Sequence, residues 1–364
     1  MDTYTILEHQ WAYLLSLLPA DLDLDQSAKD AGALVRKRQI SKAEDLLRMI
    51  LAYAVCGMPL RQTAAWAEVS GIASVSNVAL LKRLRKCDTW LGQILGLKLA
   101  EMAPPPTTMP TQPRVRIVDA TCICHPGAST TTWRVHLGYD LQRHRIDHIQ
   151  LTDLKGGESL TRFDLQHDEI VIGDAGYAHR RGMHSVAKSG ASFIIRHNYN
   201  AVPLKDINLF GWLRGLRDAS AGARPVLIAR DTKNNLPAFP ARLVALRKSE
   251  PAAEQARHKI IKIRAKKGKT PDPLALEAAS YIVLITNTPE EWMTPQQTLD
   301  LYRFRWQIEL AFKRLKGLLH LSDLPTKDPP MARTYLYAKL LGALLLDDLT
   351  DRFLAFSPWG YRYP

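Results

Sequence analysis

Four residues far along the chain, Tyr302, Arg305, Glu309 and Lys316, stand at offsets of 0, 3, 7 and 14. On an α-helix turning ~100° per residue they fall within a sector of roughly 60°. No proline interrupts the run from Pro295 to His320, and Thr294 is suited to cap it. Leu301, Phe304, Ile308, Ala311, Leu315 and Leu318 form an apolar stripe at spacings of three and four. The polar sector lies beside that stripe, so a helix docked by its apolar side aims one carboxylate and three polar groups into a cleft. A surface ladder of ion pairs, worth about 0.2–0.5 kcal/mol per pair, has the same periodicity, which does not separate the two. Two more acids follow apolar runs: Asp119 ends Val115-Arg116-Ile117-Val118-Asp119, and Asp174 comes just after 169–173. Carboxylate oxygens are the ligands that hard divalent cations prefer.

The elements that must position these acids change character along the chain. Residues 1–102 read as an all-helical unit, with apolar residues recurring near 3.6 through Ala43–Ala54. Within it, 60–86 reads as helix, a four-residue turn with Gly71, and a second helix begun by Ser74 or Ser76, which is helix-turn-helix spacing. Lys82, Arg83, Arg85 and Lys86 near the end of the second helix suit phosphate contact, although a plain helical hairpin has the same pattern. Residues 103–113 hold five prolines and read as a linker. From 114 to 196 the pattern predicts strands at 115–119, 132–141 and 145–151, a helix near 159–165, a strand at 169–173, a helix at 179–188 and a strand at 192–196. This is the order of a ribonuclease H-like domain, an α/β fold in which helices flank a mixed sheet. Residues 197–288 interrupt it as a β-rich insertion with strands expected at 226–229, 242–246, 259–263 and 281–286. Between Arg242 and Lys269 this insertion carries ten Lys and Arg against two Glu. Lys262, Arg264, Lys266 and Lys267 are its candidate DNA contacts, with a solvated basic loop as the other reading. Residues 289–325 return to the core with the Glu309 helix, and 326–364 form a helical segment that either closes the core or contacts a second copy.

Tyr302, Arg305, Glu309 and Lys316 match the Y-R-E-K signature of bacterial insertion-sequence transposases of the DDE class. Val118-Asp119-Ala120-Thr121 resembles that family's first-Asp motif, and Ile172-Gly173-Asp174-Ala175-Gly176-Tyr177 its second. The resemblance covers about residues 114–320 and, loosely, the helical N-terminus. It implies that Asp119, Asp174 and Glu309 hold two Mg2+ ions, with Mn2+ able to substitute, and that Asp119 bridges both. It implies that Arg305 and Lys316 grip phosphates and that Tyr302 donates to one. The implied partners are double-stranded DNA, both terminal inverted repeats and target, and a second copy of the chain in the synaptic complex. An aromatic pocket for a flipped base occurs in related transposases, with Trp212 and Trp292 as candidates here. A catalytically inactive DNA-binding descendant and a nuclease without strand transfer share these features. Both are disfavoured, the first by the full set of carboxylates and accessory residues, the second by the basic insertion and helical N-terminus.

Bulk properties agree. The 364 residues carry 49 Lys and Arg against 36 Asp and Glu, a formal +13, which favours a polyanionic partner. No run is long and apolar enough to span a membrane, and no signal peptide is expected, which points to the cytoplasm. Cys56, Cys87, Cys122 and Cys124 read as reduced thiols, and Cys122, Cys124 and His125 lack a second pair at zinc-finger spacing. Asp140, Asp147, Asp153, Asp164, Asp168 and Glu169 read as surface or turn residues. His136, His144 and His148 read as solvent-facing or phosphate neighbours, and Trp306 as packing.

Overall fold

The computed structural model describes residues 10–103, 113–217 and 220–354, so nearly all of the proline-rich segment lies outside the described residues. Helices fill the first part: α1 (Leu24–Asp30), α2 (Ala43–Ala54), α3 (Leu60–Val69), α4 (Asn77–Leu84) and α5 (Asp88–Met102). The expected helix pair around a glycine turn is α3 and α4. Gly71 takes φ +66°, a left-handed conformation that suits glycine, and Ser76 caps α4 by accepting from the Ala79 N–H at 3.2 Å. Leu46, Leu47 and Ile50 of α2, Leu80 and Leu84 of α4, and Trp90 of α5 are all fully buried.

The strands are β1 (Val115–Ile123), β2 (Trp133–Asp140), β3 (Arg145–Asp153), β4 (Ile170–Gly173), β5 (Ser192–Arg196), β6 (Leu204–Lys205), β7 (Gly222–Ile228), β8 (Phe239–Arg247) and β9 (Tyr281–Thr286). They form one nine-stranded mixed sheet in the order β3-β2-β1-β4-β5-β9-β8-β7-β6. β1, β2 and β3 are antiparallel neighbours, while β4 and β5 run parallel to β1, the ribonuclease H-like arrangement expected from the sequence. Ile170 and Ile172 of β4 enter one core and Val171 the other, because a central strand covered on both faces is apolar throughout. The remaining helices are α6 (Arg180–Lys188), α7 (Leu209–Arg214), α8 (Glu250–Ala265), α9 (Pro273–Ala278), α10 (Pro295–Arg303), α11 (Trp306–Gly317) and α12 (Pro329–Leu354). Side chains of α11, α12 and the N-terminal helices share one core with one face of the sheet; those of α6 and α7 share the other.

Several expectations change. The strand expected at 259–263 is part of α8. Its Lys-Ile-Ile-Lys-Ile pattern fits either period, and the preceding Glu-Pro-Ala-Ala-Glu-Gln-Ala run, rich in helix formers, decides for a helix. β9 pairs with both β5 and β8, so the strands of 197–288 extend the core sheet. The C-terminal segment closes the core: α12 packs on α5 and α2, burying Leu336, Leu340, Leu341 and Leu344. Asp348 of α12 joins the nearly buried Lys98 of α5 and accepts from Arg145 of β3 at 3.0 Å.

Asp140 and Glu169 are buried and Asp147 half-buried, partners of Arg116 on β1 and of Arg114 just before it, not surface residues. Arg116 Nε donates to Asp147 at 2.8 Å and lies 3.2 Å from Glu169, while Arg114 Nε donates to Asp140 at 2.8 Å. This cluster fastens the start of β1 to β2, β3 and the entry to β4. Breaking a buried ion pair by removing one partner costs about 3–5 kcal/mol. Arg116→Met therefore should lower the unfolding free energy by about 3 kcal/mol in urea titration, and an unchanged midpoint would refute the role given to the cluster.

Candidate active site

The parallel pairing of β1 with β4 runs Val115↔Ile170, Arg116↔Val171 and Ile117↔Ile172. Continued for two residues, that register sets Asp119 level with Asp174, and adjacent strands lie ~4.8 Å apart. Asp174 immediately follows β4, as expected. Asp119 does not end its strand: β1 continues to Ile123 and pairs Asp119 with Leu137 of β2. Its place is past the end of the β4 pairing, which leaves that side of β1 without a paired strand at Asp119.

Each carboxylate is anchored by one oxygen. The Ala120 N–H donates to Asp119 Oδ1 at 2.7 Å, and the Gly176 N–H donates to Asp174 Oδ1 at 2.8 Å. The second oxygen of each remains available as a ligand. Burial pushes the Asp119 carboxyl up to about 6, and Asp174 and Glu158 act in the same direction, while the Ala120 N–H and Arg305 oppose them. A half-buried acid beside two more of its own sign is a setting that a cation stabilises.

Glu309 arrives on α11, which packs against β1 and β2 through Ile308, Ala311, Phe312 and Leu315. The single long helix expected at 295–320 is divided between α10 and α11. At the junction Phe304, Arg305 and Gln307 donate backbone bonds three residues back, at 3.1, 3.0 and 2.9 Å. Such a tightened turn needs neither Pro nor Gly, so no residue type marks it in advance. It also puts Phe304 (45% exposed) out of the apolar stripe, and Leu318, past the end of α11, is 77% exposed.

Arg305 lies between the two groups of acids. Its Nη2 donates to Glu309 Oε1 at 2.7 Å. Burial works against its charge, yet Glu309, Tyr302 and Asp119 together raise it above its ordinary value. Tyr302 is half-buried beside it, and burial raises its hydroxyl too. Tyr302, Arg305, Asp119 and Asp174 thus share one electrostatic neighbourhood. Lys316 is exposed in the last turn of α11, ~10 Å along the helix from Glu309. Among the described residues, no three His, Cys, Asp or Glu stand close enough to hold a metal ion between them.

The other candidates divide. Lys82 and Lys86 are exposed, but Arg83 donates to the Ala33 and Arg36 carbonyls at 3.0 and 3.5 Å, and Arg85 pairs with Asp328 at 2.8 Å. Lys262, Lys266 and Lys267 are exposed around the end of α8, with Arg264 half-buried. His136 is fully buried, its Nε2 3.0 Å from Thr152 Oγ1, and the half-buried His148 stacks 4.7 Å from Phe163, so neither is solvent-facing. Alternation along β2 and β3 does not reveal that both faces of this sheet are covered. Trp306 is 48% and Trp292 53% exposed, so Trp306 is not a packing residue, while Trp212 is half-buried. Sequence reasoning missed Glu158, which lies in a loop with no periodicity to mark it, and the Tyr177 hydroxyl.

The Transposase DDE domain family matches residues 110–346. A putative transposase InsL for insertion sequence element IS186A of Escherichia coli (strain K12) is 38% identical over 355 residues, covering 96% of each chain. The transposase for insertion sequence element IS421 of Escherichia coli is 38% identical over 356 residues, again 96% of each. The transposase for IS231E of Bacillus thuringiensis subsp. finitimus is 24% identical over 269 residues, 64% of this chain and 55% of that one. A cryo-EM structure of a piggyBac transposase synaptic complex with hairpin DNA aligns at a TM-score of 0.47 and 9% identity, over 94% of this chain and 76% of that one. Divalent metal ions are the general cofactors of DDE transposases. With a domain match over more than half its length and near-complete alignment at 38% identity, the chain belongs to the DDE transposases, enzymes that cut and join DNA strands.

Proposed function

We propose that this transposase cuts double-stranded DNA at the terminal inverted repeats of an insertion sequence and joins the freed 3′-OH to target DNA, with Asp119, Asp174 and Glu309 as its metal ligands. The observation that carries the reading is the β1–β4 register, which levels Asp119 with Asp174 beneath the helix that bears Glu309. Two Mg2+ ions, or Mn2+ in their place, held by these carboxylates would supply an activated oxygen nucleophile and stabilise the departing oxygen. The donors fit hard cations, since the set is all carboxylate and one of its members is held protonated more readily than usual. Asp119 would serve both ions, with Asp174 and Glu309 each completing one site.

The other residues bind and orient. Arg305 grips a phosphate beside the cut with its two-pronged guanidinium, Lys316 holds another further along, and the Tyr302 hydroxyl donates to a phosphate oxygen. Lys82 on α4 and Lys86 just after it, and Lys262, Arg264, Lys266 and Lys267 around the end of α8, provide charge for DNA away from the cut. Two ends handled together call for two copies, so a homodimer forms in the synaptic complex.

Asp119→Ala or Glu309→Ala should reduce Mg2+-dependent nicking of terminal-repeat DNA at least about 100-fold while leaving band-shift affinity within about twofold. Retained nicking sinks the ligand assignment, and a wild-type protein that nicks but never yields a strand-transfer product favours a simple nuclease. Replacing Lys82 and Lys86 together by Ala should flatten the log–log salt dependence of DNA binding by about 1.8, roughly 0.9 per lost phosphate contact. An unchanged slope removes α4 from the DNA interface. Asp119 also gives a pH prediction. Its raised carboxyl contributes stability that is complete below about 4 and is lost as pH rises through about 6. Asp119→Asn should then raise the melting temperature of metal-free protein at pH 7.5 by on the order of 2 °C, a gain that shrinks toward pH 4.5.

A further inference from the structure

A buried lysine holds the chain where it leaves α11. Lys339 of α12 is 2% exposed. Its Nζ donates to the Leu319 carbonyl and, at 2.8 Å, to the His320 carbonyl. The ammonium also lies 4.7 Å from the centre of the Tyr335 ring. A charge at that depth loses hydration that an apolar side chain would not miss. Burial brings the ammonium down to about 8, and the charge of Asp323 opposes that shift.

These bonds fix a point the backbone would not hold alone. The last carbonyls of a helix lack intrahelical donors, and a lysine near the C-terminus can supply them. Just past α11 the chain turns back: the Leu321 N–H donates to the Leu315 carbonyl at 3.0 Å, and His320 takes φ +49°. That left-handed conformation is uncommon for a residue with a Cβ, and it persists where the surroundings over-determine it. Lys339 does so by binding two successive carbonyls. The helix that carries Lys339 is itself tied down on both sides of it. Thr334 Oγ1 donates to the Leu84 carbonyl of α4 at 2.8 Å, and Arg333 Nε donates to Asp88 of α5 at 2.7 Å. Further along, Asp348 pairs with Lys98 and Arg145.

The two ends of α11 are therefore held differently. At its start the tightened turn continues from α10, and along its length an apolar stripe rests on β1 and β2. Packed helices can slide past one another by small amounts, so a stripe alone does not set the position of a helix along its axis. Bonds from a fixed helix to the chain at its end do. Glu309 lies about 12 Å along the rigid helix from Gly317, so a displacement at that end reaches the carboxylate undiminished.

We propose that Lys339 is a positioning residue for strand cleavage: by holding the chain at Leu319 and His320 it sets where α11 places Glu309 relative to Asp119 and Asp174. It acts through α11. The proposal rests on the reading of Glu309 as a metal ligand.

The test is single-turnover nicking of terminal-repeat DNA by the full chain in Mg2+, measured against protein concentration so that the maximal rate separates from half-saturation. Lys339→Met should lower the maximal rate at least about tenfold and leave half-saturation within about twofold, since small misplacements of a reacting group cost rate. Lys339→Arg, which can still donate to both carbonyls, should recover part of that rate. Lys339→Gln, shorter and uncharged, is a second variant and should fall between wild type and Lys339→Met. Leu344→Ala, at another fully buried position of α12, controls for lost stability. It should lower the melting temperature yet keep the maximal rate within about twofold at a temperature where all the variants are folded. A wild-type maximal rate in both Lys339→Met and Lys339→Gln overturns the proposal, as does a Lys339→Arg no faster than Lys339→Met. Leu344→Ala as slow as Lys339→Met also overturns it, because the loss would then be one of stability. Nicking retained in Glu309→Ala instead overturns the ligand reading beneath it.

Discussion

Two carboxylates held level across a parallel strand pair repel one another, and burying them in a sheet edge makes the repulsion stronger. The β1–β4 register fixes Asp119 and Asp174 in that relation, and neither can move away without unpairing strands that both faces of the protein bury. Burial is the larger cause of the rise of Asp119 to about 6, and the charge of Asp174 adds to it. The surroundings relieve it only in part. Backbone N–H groups of Ala120 and Gly176 each take one oxygen, and Arg305 contributes a positive charge from the helix above. The metal ions proposed for this site would relieve the repulsion between the two acids that Arg305 and the N–H groups offset only in part.

The helix that bears Glu309 is divided from the one before it by a tightened turn. An unbroken helix would place Phe304 in line with the apolar stripe and carry Arg305 on the standard 3.6 period. The tightened turn between α10 and α11 instead turns Phe304 outward and leaves Arg305 half-buried between Glu309 and Asp119. Arg305 thereby serves the metal-free protein as the counter-ion of the acids. Beneath it, α11 is anchored by Ile308, Ala311, Phe312 and Leu315, so the acid is aimed by packing and not by its ion pair. Glu309 is thus in an ion pair with Arg305, a residue that the charge of Asp119 also reaches.

What the sequence could reveal follows from the range of the physics. The spacing of Tyr302, Arg305 and Glu309 is helical and local, so their shared neighbourhood was legible. The five strands from β1 to β5 were also legible, since short apolar runs punctuated by Gly and polar turns mark them. The register between β1 and β4 was not, because nothing local sets the alignment of strands separated by a hairpin and a crossover. Burial was misjudged for the same reason. Asp147 and Glu169 look like turn acids until Arg116 is seen between them, and His136 looks solvent-facing until the far side of the sheet is seen to be covered. The 259–263 stretch failed differently: its pattern fits two periods, and helix propensity upstream settled a question that alternation left open. Glu158 sits in a loop, where no period applies at all.

The charge distribution separates holding DNA from cutting it. The chain is strongly basic as a whole, yet the cleft is lined by acids, with Arg305 drawn into pairing with them. Arg83 and Arg85 show that basic residues are not interchangeable as DNA contacts, since both are spent on joining α4 to α1's surroundings and to the segment before α12. Exposed lysines on and just after α4 and around the end of α8 carry positive charge far in sequence from Asp119, Asp174 and Glu309. Counterion release at those lysines gives affinity without entering the cleft. A phosphate near Asp119 and Asp174 meets their negative charge as well as the positive charge of Arg305, so the acids oppose DNA there while the exposed lysines elsewhere favour it.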